Sequence, residues 1–144
     1  MKMEKKDLHL EVKKMESLLQ TSCRTIWENP EVGGNEKASA DYFRRLLDAE
    51  GFHIINEEHL EHAFYAEYGS GKPVIAILGE YDALPGLSQK VTDKKEPVKA
   101  GAPGHGCGHN LLGSAAAVGA IAVKRYLEAE GISGTVRFYG CPEE

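Results

Sequence analysis

The sequence predicts an α/β fold, and two observations carry this prediction. Two segments with apolar residues at every third or fourth position precede any strand-like run. Further on, an apolar strand-like run, a long loop, an Ala- and Gly-rich helix and a second strand follow one another. This order is typical of a β-α-β crossover. We therefore expect two leading helices, followed by a mixed sheet with a buried helix.

The two leading helices are predicted from the spacing of their apolar side chains. The first runs from Leu8 to Trp27 and ends at the Asn-Pro pair of positions 29–30. The second follows the Gly-Gly pair of positions 33–34, with Asn35 as its N-cap and Gly51 at its end.

The remaining elements form the sheet and its crossover. Short strands are predicted over residues 52–56 and 63–68. The run Val74–Leu78 is apolar throughout, which is typical of a strand buried on both faces, so we place it at the centre of the sheet. Leu111–Leu127 is apolar almost all round and predicts a helix buried between layers, and Thr135–Tyr139 predicts the returning strand.

Composition and charge exclude several classes of protein. The 144 residues are 42% hydrophobic and 27% charged, which excludes disordered and collagen-like chains. Seventeen basic against 22 acidic side chains give a net charge of −5 without basic runs, so no nucleic-acid partner is expected. The three cysteines favour reduced thiols in the cytoplasm. Residues 1–14 are charged, unlike a secretory signal, and the apolar stretch 111–123 is too short to span a membrane.

Residues 104–110 read Gly-His-Gly-Cys-Gly-His-Asn and alternate possible metal ligands with glycines. In an extended segment His105, Cys107 and His109 would share one face. Thiolate and imidazole are ligands of zinc-like ions. Asn110 would cap the following helix and hold His109 at its N-terminus. The alternative is that the histidines are polar loop residues and the cysteine a small buried side chain.

Carboxylates follow two of the predicted strands. Asp82, with Glu80 as a second candidate, comes directly after the central strand and could touch an ion or orient a histidine ligand, although Asp before Pro-Gly is also common in turns. Glu143 and Glu144 follow the last strand. In metal-assisted hydrolysis one carboxylate fixes an ion, and a second takes a proton from the attacking water and delivers it to the leaving amine. The alternative for this pair is a solvated pair of charges.

The other cysteines and histidines have no pattern of partners. Cys23 is predicted to pack in a helix, and Cys141 to be structural or part of a site wall. The remaining histidines are predicted to lie on the surface or in loops: His9, His53, His59 and His62.

Four segments together carry a family resemblance: IWENPEVGGNEKASADYF, GEYDALPGLSQ, GHGCGHNLLGSAAA and GTVRFYGCPEE. In this order the chain resembles the N-terminal part of the amidohydrolase branch of the aminoacylase and carboxypeptidase-like zinc metallopeptidases. The resemblance implies an α/β/α catalytic domain with two divalent ions, Mn or Zn. It also implies hydrolysis of an amide bond to an amino acid, in an aminobenzoyl-glutamate-like or other N-acyl amino acid substrate.

The resemblance also implies roles for individual residues. Cys107, His109 and Glu144 would be metal ligands, Glu143 the general base, and Asp82 a support of the site. In this family a residue usually separates Pro from the Glu pair, whereas here Glu143 follows proline directly. A slip of one residue turns side chains to the opposite face of an extended segment, so the division between base and ligand within this pair stays open.

Family members complete the site with further histidines and dimerise through a lid domain. Residues 1–144 are therefore expected to be an incomplete N-terminal part of the catalytic domain, not competent alone, of an enzyme that is a homodimer or a two-subunit hydrolase when full length. One alternative is a non-catalytic metal-binding fragment or a partner-dependent subunit. Another is a cysteine hydrolase that uses Cys107, which is disfavoured because His109, two residues on, would point alongside the thiol.

Overall fold

The computed structural model describes residues 4–144 and confirms the α/β class; positions 1–3 of the charged N-terminal segment lie outside the described residues. A mixed four-stranded sheet has the strand order β1-β2-β4-β3, in which only β3 and β4 run parallel. The elements in chain order are α1 (Lys5–Lys14), α2 (Glu16–Glu28), α3 (Lys37–Ala49), β1 (His53–Asn56), β2 (Phe64–Ser70), β3 (Val74–Glu80), α4 (His109–Glu130) and β4 (Gly134–Cys141).

The predicted crossover is confirmed and sets the geometry of the site. β3 leads through a long loop and α4 into β4, which pairs with β3 in parallel. The register joins Val74 to Thr135 at one end and Glu80 to Cys141 at the other. Because the strands are parallel, the residues that follow each of them come to the same edge of the sheet.

The prediction of one continuous first helix, made from the apolar spacing, is wrong. Met15 leaves the helical conformation, with φ −95° and ψ 11°, and separates α1 from α2, so that three helices precede the sheet within residues 4–144. Its side chain is buried in the core. Both helices contact α4, so the apolar spacing continues across the break and does not reveal it.

The second predicted helix, α3, is confirmed, but its N-cap is Glu36 and not Asn35. The carboxylate of Glu31 accepts hydrogen bonds from the amides of Ala38 and Ser39, each at 2.8 Å. A side chain outside the helix thus satisfies amides at its start that lack a helical partner, which the local sequence pattern did not indicate.

Replacing Glu31 with alanine is expected to lower the free energy of unfolding by about 1 kcal/mol, the usual cost of a lost N-terminal cap. The measurement is urea unfolding followed by circular dichroism. The exposed Glu28, at the end of α2, provides the control Glu28→Ala. Equal stability of Glu31→Ala and the parent chain would contradict the capping role.

β3 does not lie at the centre of the sheet among the described residues. Within the described part of the chain it pairs only with β4, and Val74, Ile75 and Leu78 are exposed. The strands with neighbours on both sides are β2 and β4, and Val136 and Phe138 of β4 are fully buried. An apolar run indicates what the faces of a strand are suited to contact, but it does not indicate which strands pair with it.

The core lies where α3 and α4 pack on the sheet. The Phe138 ring of β4 stands 5.8 Å from the rings of both Phe43 and Phe64, measured between centroids. α4 begins two residues before the predicted helix, and Leu111 and Leu112 in its first turns are exposed, so it is not buried all round. Within residues 4–144, no helix combines the length and apolar character needed to cross a membrane.

Candidate metal centre

His109 is the first residue of α4 and has a buried side chain, 7% exposed. The N-cap is Gly108, which adopts a left-handed conformation with φ 83°. Asn110 was expected in that role, but it lies inside the helix, where its side-chain amide donates to the carbonyl of Cys23 at 3.4 Å. The imidazole of His109 lies at the carboxyl ends of β3 and β4, beside Glu80 and Glu144.

Asp82, two residues after β3, contacts one side of this imidazole. Its Oδ1 lies 2.8 Å from Nδ1 of His109, and its side chain is 5% exposed. With Nδ1–H donated to this carboxylate, the lone pair of Nε2 is free for an ion, the arrangement usual for metal-binding histidines. The structure thus brings these two predicted site residues together.

Two more carboxylates lie at the other side of the ring. Oε2 of Glu80 is 3.0 Å from Nε2 of His109, and Oε2 of Glu144 is 3.8 Å from the same atom. One ligand atom from each of the three residues lies within 4.8 Å of the others. Glu80, the second candidate after the strand, thus lies at the ring of His109 together with Glu144.

The charge of this group is suited to a cation. Three carboxylates face one imidazole, and even a doubly protonated ring would balance only one of three negative charges. Carboxylate oxygen and imidazole nitrogen are both ligands of zinc, and manganese accepts the same donors. The residues present therefore fit a divalent ion between His109, Glu80 and Glu144.

Cys107 is not part of this group. Residues 104–108 bend instead of running extended: Gly106 N–H donates to the Gly104 carbonyl at 3.0 Å, and Gly108 N–H to that of His105 at 3.3 Å. The shared face predicted for His105, Cys107 and His109 is therefore wrong, and the thiol is exposed while both imidazoles are buried. The glycines that suggested room around an ion are the same residues that allow this bend.

A cysteine–histidine catalytic pair is not formed among the residues that the structure describes. Both ring nitrogens of His109 face carboxylates, those of Asp82 and Glu80. An activating base for Cys107 would need a ring nitrogen within hydrogen-bond reach of the thiol. The geometry gives the cysteine hydrolase alternative no support.

His105 contacts the end of α2. Its Nε2–H donates to the carbonyl of Ile26 at 3.1 Å, while Nδ1 is buried without a partner in residues 4–144. Burial lowers the pKa of this imidazole, which favours the neutral ring. His105 borders a cavity of about 290 Å³ that Trp27 and Pro30 also line.

Glu143 lies beside the group without contributing to it. Its backbone has φ 58°, and its amide donates to Oε1 of Glu36 at 2.8 Å. Its carboxylate is not among the three clustered ligand atoms, whereas that of Glu144 is. The two adjacent carboxylates thus occupy different places.

The other histidines and cysteines lie outside the group. His62 was expected at the surface or in a loop; it lies in a turn but is buried, and its carbonyl accepts the Tyr81 hydroxyl at 2.6 Å. Cys23 and Cys141 are half-buried, and burial raises the pKa of the Cys141 thiol. The prediction of surface positions is confirmed for the rest, which are exposed: His9, His53 and His59.

Iodoacetamide is expected to modify Cys107 several-fold faster than Cys141, because the first thiol is exposed and burial raises the pKa of the second. Peptide mass spectrometry measures both rates. If Cys107 also binds metal, saturating Zn²⁺ or Mn²⁺ slows its modification, while Cys23 in α2 serves as the internal control. A rate at Cys107 that metal leaves unchanged would contradict its predicted role as a ligand.

Comparison with known proteins agrees with these features. The chain is 53% identical over 121 residues to a subunit of the p-aminobenzoyl-glutamate hydrolase of Escherichia coli (strain K12), covering 83% of this chain and 25% of that protein. The predicted family resemblance is confirmed. Identity to the Xaa-Arg dipeptidase of Homo sapiens is 29% over 119 residues, covering 73% of this chain and 24% of that protein. The chain thus spans about a quarter of the length of these curated relatives. No family model matches it.

Solved structures show the same fold. A dinuclear metal binding peptidase of the M20 family from Bacillus subtilis has a TM-score of 0.74 and 28% identity, over 92% of this chain and 36% of that one. An aminobenzoyl-glutamate utilization protein from Klebsiella pneumoniae has a TM-score of 0.63 and 16% identity, over 95% of this chain and 39% of that one, which supports the fold alone. The α/β fold predicted from the sequence is the fold of these two structures.

Proposed function

We propose that this chain supplies part of the metal site of a metal-dependent amidohydrolase that cleaves an amide bond to an amino acid. The observation that carries the proposal is the set of contacts around one buried imidazole. Asp82 holds Nδ1 of His109 at 2.8 Å, and Glu80 and Glu144 face Nε2. The similarity to a hydrolase and to a dinuclear metal binding peptidase supports the reaction class.

The complete enzyme would hold two divalent ions, Mn or Zn. Its ligands would include Cys107, His109 and Glu144, to which the geometry adds Glu80. When bound, such an ion supplies Lewis acid chemistry: it polarises the substrate carbonyl and lowers the pKa of water, so that a base can more easily remove its proton for the attack. Asp82 keeps the imidazole in the tautomer and orientation that a ligand needs.

Glu143 is the proposed general base. It takes a proton from the attacking water, whose oxygen bonds to the amide carbon, and delivers the proton to the amine as the C–N bond breaks. The products are a carboxylic acid and a free amino acid. The different positions of the two adjacent carboxylates favour Glu143 as the base and Glu144 as the ligand.

The substrate class would be an aminobenzoyl-glutamate-like or other N-acyl amino acid. Residues 1–144 would form the N-terminal part of a catalytic domain whose remaining ligands and lid or dimerisation domain belong to a longer protein. That protein would act in the cytoplasm as a homodimer or a two-subunit hydrolase. The chain spans only 25% of the hydrolase subunit it resembles, so the 144 residues alone would bind metal without turning over substrate.

The test compares the purified 144-residue chain with a polypeptide extended to the length of the Escherichia coli relative. Calorimetric titration should show that both polypeptides bind Mn²⁺ or Zn²⁺. In a separate activity assay, only the longer polypeptide should hydrolyse p-aminobenzoyl-glutamate. A chelator should abolish hydrolysis, and added metal should restore it. In the longer polypeptide Glu143→Gln should lower kcat by about 10²- to 10⁴-fold with metal affinity unchanged.

Two results would contradict the proposal: hydrolysis that a chelator does not inhibit, or full activity of Glu143→Gln. The alternative of a non-catalytic metal-binding fragment or a partner-dependent subunit makes a different forecast. It predicts metal binding without hydrolysis by the extended polypeptide. Metal-dependent hydrolysis by the 144-residue chain alone would reject that alternative, and with it the proposal that these residues do not turn over substrate by themselves.

A further inference from the structure

Glu36 carries a wholly buried carboxyl group that the proposed reaction does not use. It is the N-cap residue of α3, and its exposed fraction is 0%. Its Oε1 accepts the backbone N–H of Glu143 at 2.8 Å, while Oε2 is buried without a partner in the part of the chain that the structure describes. A buried carboxyl group that is only partly hydrogen-bonded costs folding free energy, which calls for an explanation of its place here.

Helix capping does not supply that explanation. The amides of Ala38 and Ser39 at the start of α3 already donate to the carboxylate of Glu31. The side chain of Glu36 makes no cap hydrogen bond to its own helix. Its hydrogen bond instead reaches 107 positions along the chain, to the residue proposed as the base.

The backbone of Glu143 needs such support. Its φ of 58° lies in the left-handed region, which is unfavourable for a residue with a side chain and persists where the surroundings hold it. The Gly33-Gly34 turn lies directly against it. A Cβ at Gly33 would stand 3.5 Å from Cα of Glu143, and one at Gly34 would stand 3.1 Å from its Oε1. Gly33, Gly34 and Glu36 thus all lie against Glu143.

We propose that Glu36 is a positioning residue for the Glu143–Glu144 pair. By accepting the Glu143 amide, it fixes the bend that places one carboxylate at the glycine turn and the next beside Nε2 of His109. Two adjacent, like-charged side chains thereby obtain separate positions, which is what a separate base and ligand require. The separation follows from the contacts; only the roles of the two carboxylates rest on the proposed function.

The test measures two properties of the 144-residue chain in Glu36→Ala, Glu36→Gln and the control Glu31→Ala. Hydrogen exchange of the Glu143 amide, followed by ¹⁵N NMR, reports the contact itself. Calorimetric titration with Mn²⁺ reports the metal group. Glu36→Ala should exchange the Glu143 amide at least about tenfold faster and bind Mn²⁺ about tenfold more weakly, as for other residues that orient a ligand. Glu36→Gln keeps an acceptor oxygen and should retain both the protection of the Glu143 amide and the affinity for Mn²⁺.

Glu31→Ala disturbs the start of α3 without removing an acceptor from Glu143, so this amide should stay protected. Equal loss of protection in Glu31→Ala and Glu36→Ala would overturn the proposal, because general destabilisation would then explain both. An unprotected Glu143 amide in the parent chain would also overturn it, whether or not Glu36→Ala folds. A protected amide that Glu36→Ala exposes, in a chain that does not bind Mn²⁺, would support the positioning role and count against the proposed function.

Discussion

Replacing His109 with alanine is expected to lower the affinity of the chain for Mn²⁺ or Zn²⁺ by more than about 100-fold, or about 2.8 kcal/mol. Residues that merely orient a ligand already cost 10- to 100-fold when they are changed. His109 supplies the nitrogen that Glu80 and Glu144 face, and its removal leaves the carboxylates of Glu80, Glu144 and Asp82 without the group that joins them. Calorimetric titration with each metal measures the loss.

Two variants serve as comparisons for this change. Asp82→Asn should cost about 10- to 100-fold in affinity, because an amide oxygen can still accept Nδ1–H but lacks the charge that strengthens the bond. His59→Ala removes an exposed imidazole outside the group and should leave affinity unchanged. If His109→Ala bound metal as tightly as His59→Ala does, the centre would not be the group around this imidazole.

The sequence predicted the parts of the site that follow from element order. A strand, a long loop, a helix and a parallel strand place the ends of both strands at one edge, so Asp82, His109 and Glu144 could be expected to lie close together. The local motif at residues 104–110 was less informative. Alternation predicts a common face only if the backbone is extended, and with the bend at its glycines Cys107 is exposed while both imidazoles are buried.

Other features depend on contacts between distant residues and had no local signal. Glu36 resembled any acidic residue near a helix start, yet its side chain is buried against Glu143. The cap of α3 comes from Glu31, which precedes the glycine turn. Met15 breaks a helix without altering the apolar spacing, because both halves pack on α4. These contacts become visible only when the chain is folded.

Gly113 provides the second large expected effect, which concerns both the fold and the site. In an exposed helix interior, replacing glycine with alanine stabilises the folded state by about 1 kcal/mol. At Gly113 of α4, however, an added Cβ would lie 2.5 Å from the carbonyl oxygen of Glu80 and 3.3 Å from the ring of Phe43. Gly113→Ala should therefore lower the free energy of unfolding by about 1–3 kcal/mol, as over-packing usually does. Urea unfolding followed by circular dichroism measures the change.

Gly119, six residues further along α4, is the matched control, because an added Cβ there meets no atom within 4 Å apart from its chain neighbours and the nearby backbone of its own helix. Gly119→Ala should raise the free energy of unfolding by up to about 1 kcal/mol. The same substitution should therefore change the free energy of unfolding in opposite directions at Gly113 and Gly119. The contact at Gly113 is made with the strand residue that faces His109, and moving Glu80 should also weaken Mn²⁺ binding in Gly113→Ala alone. If both variants were stabilised equally, α4 would not pack against the end of β3 closely enough to hold Glu80 in the metal group.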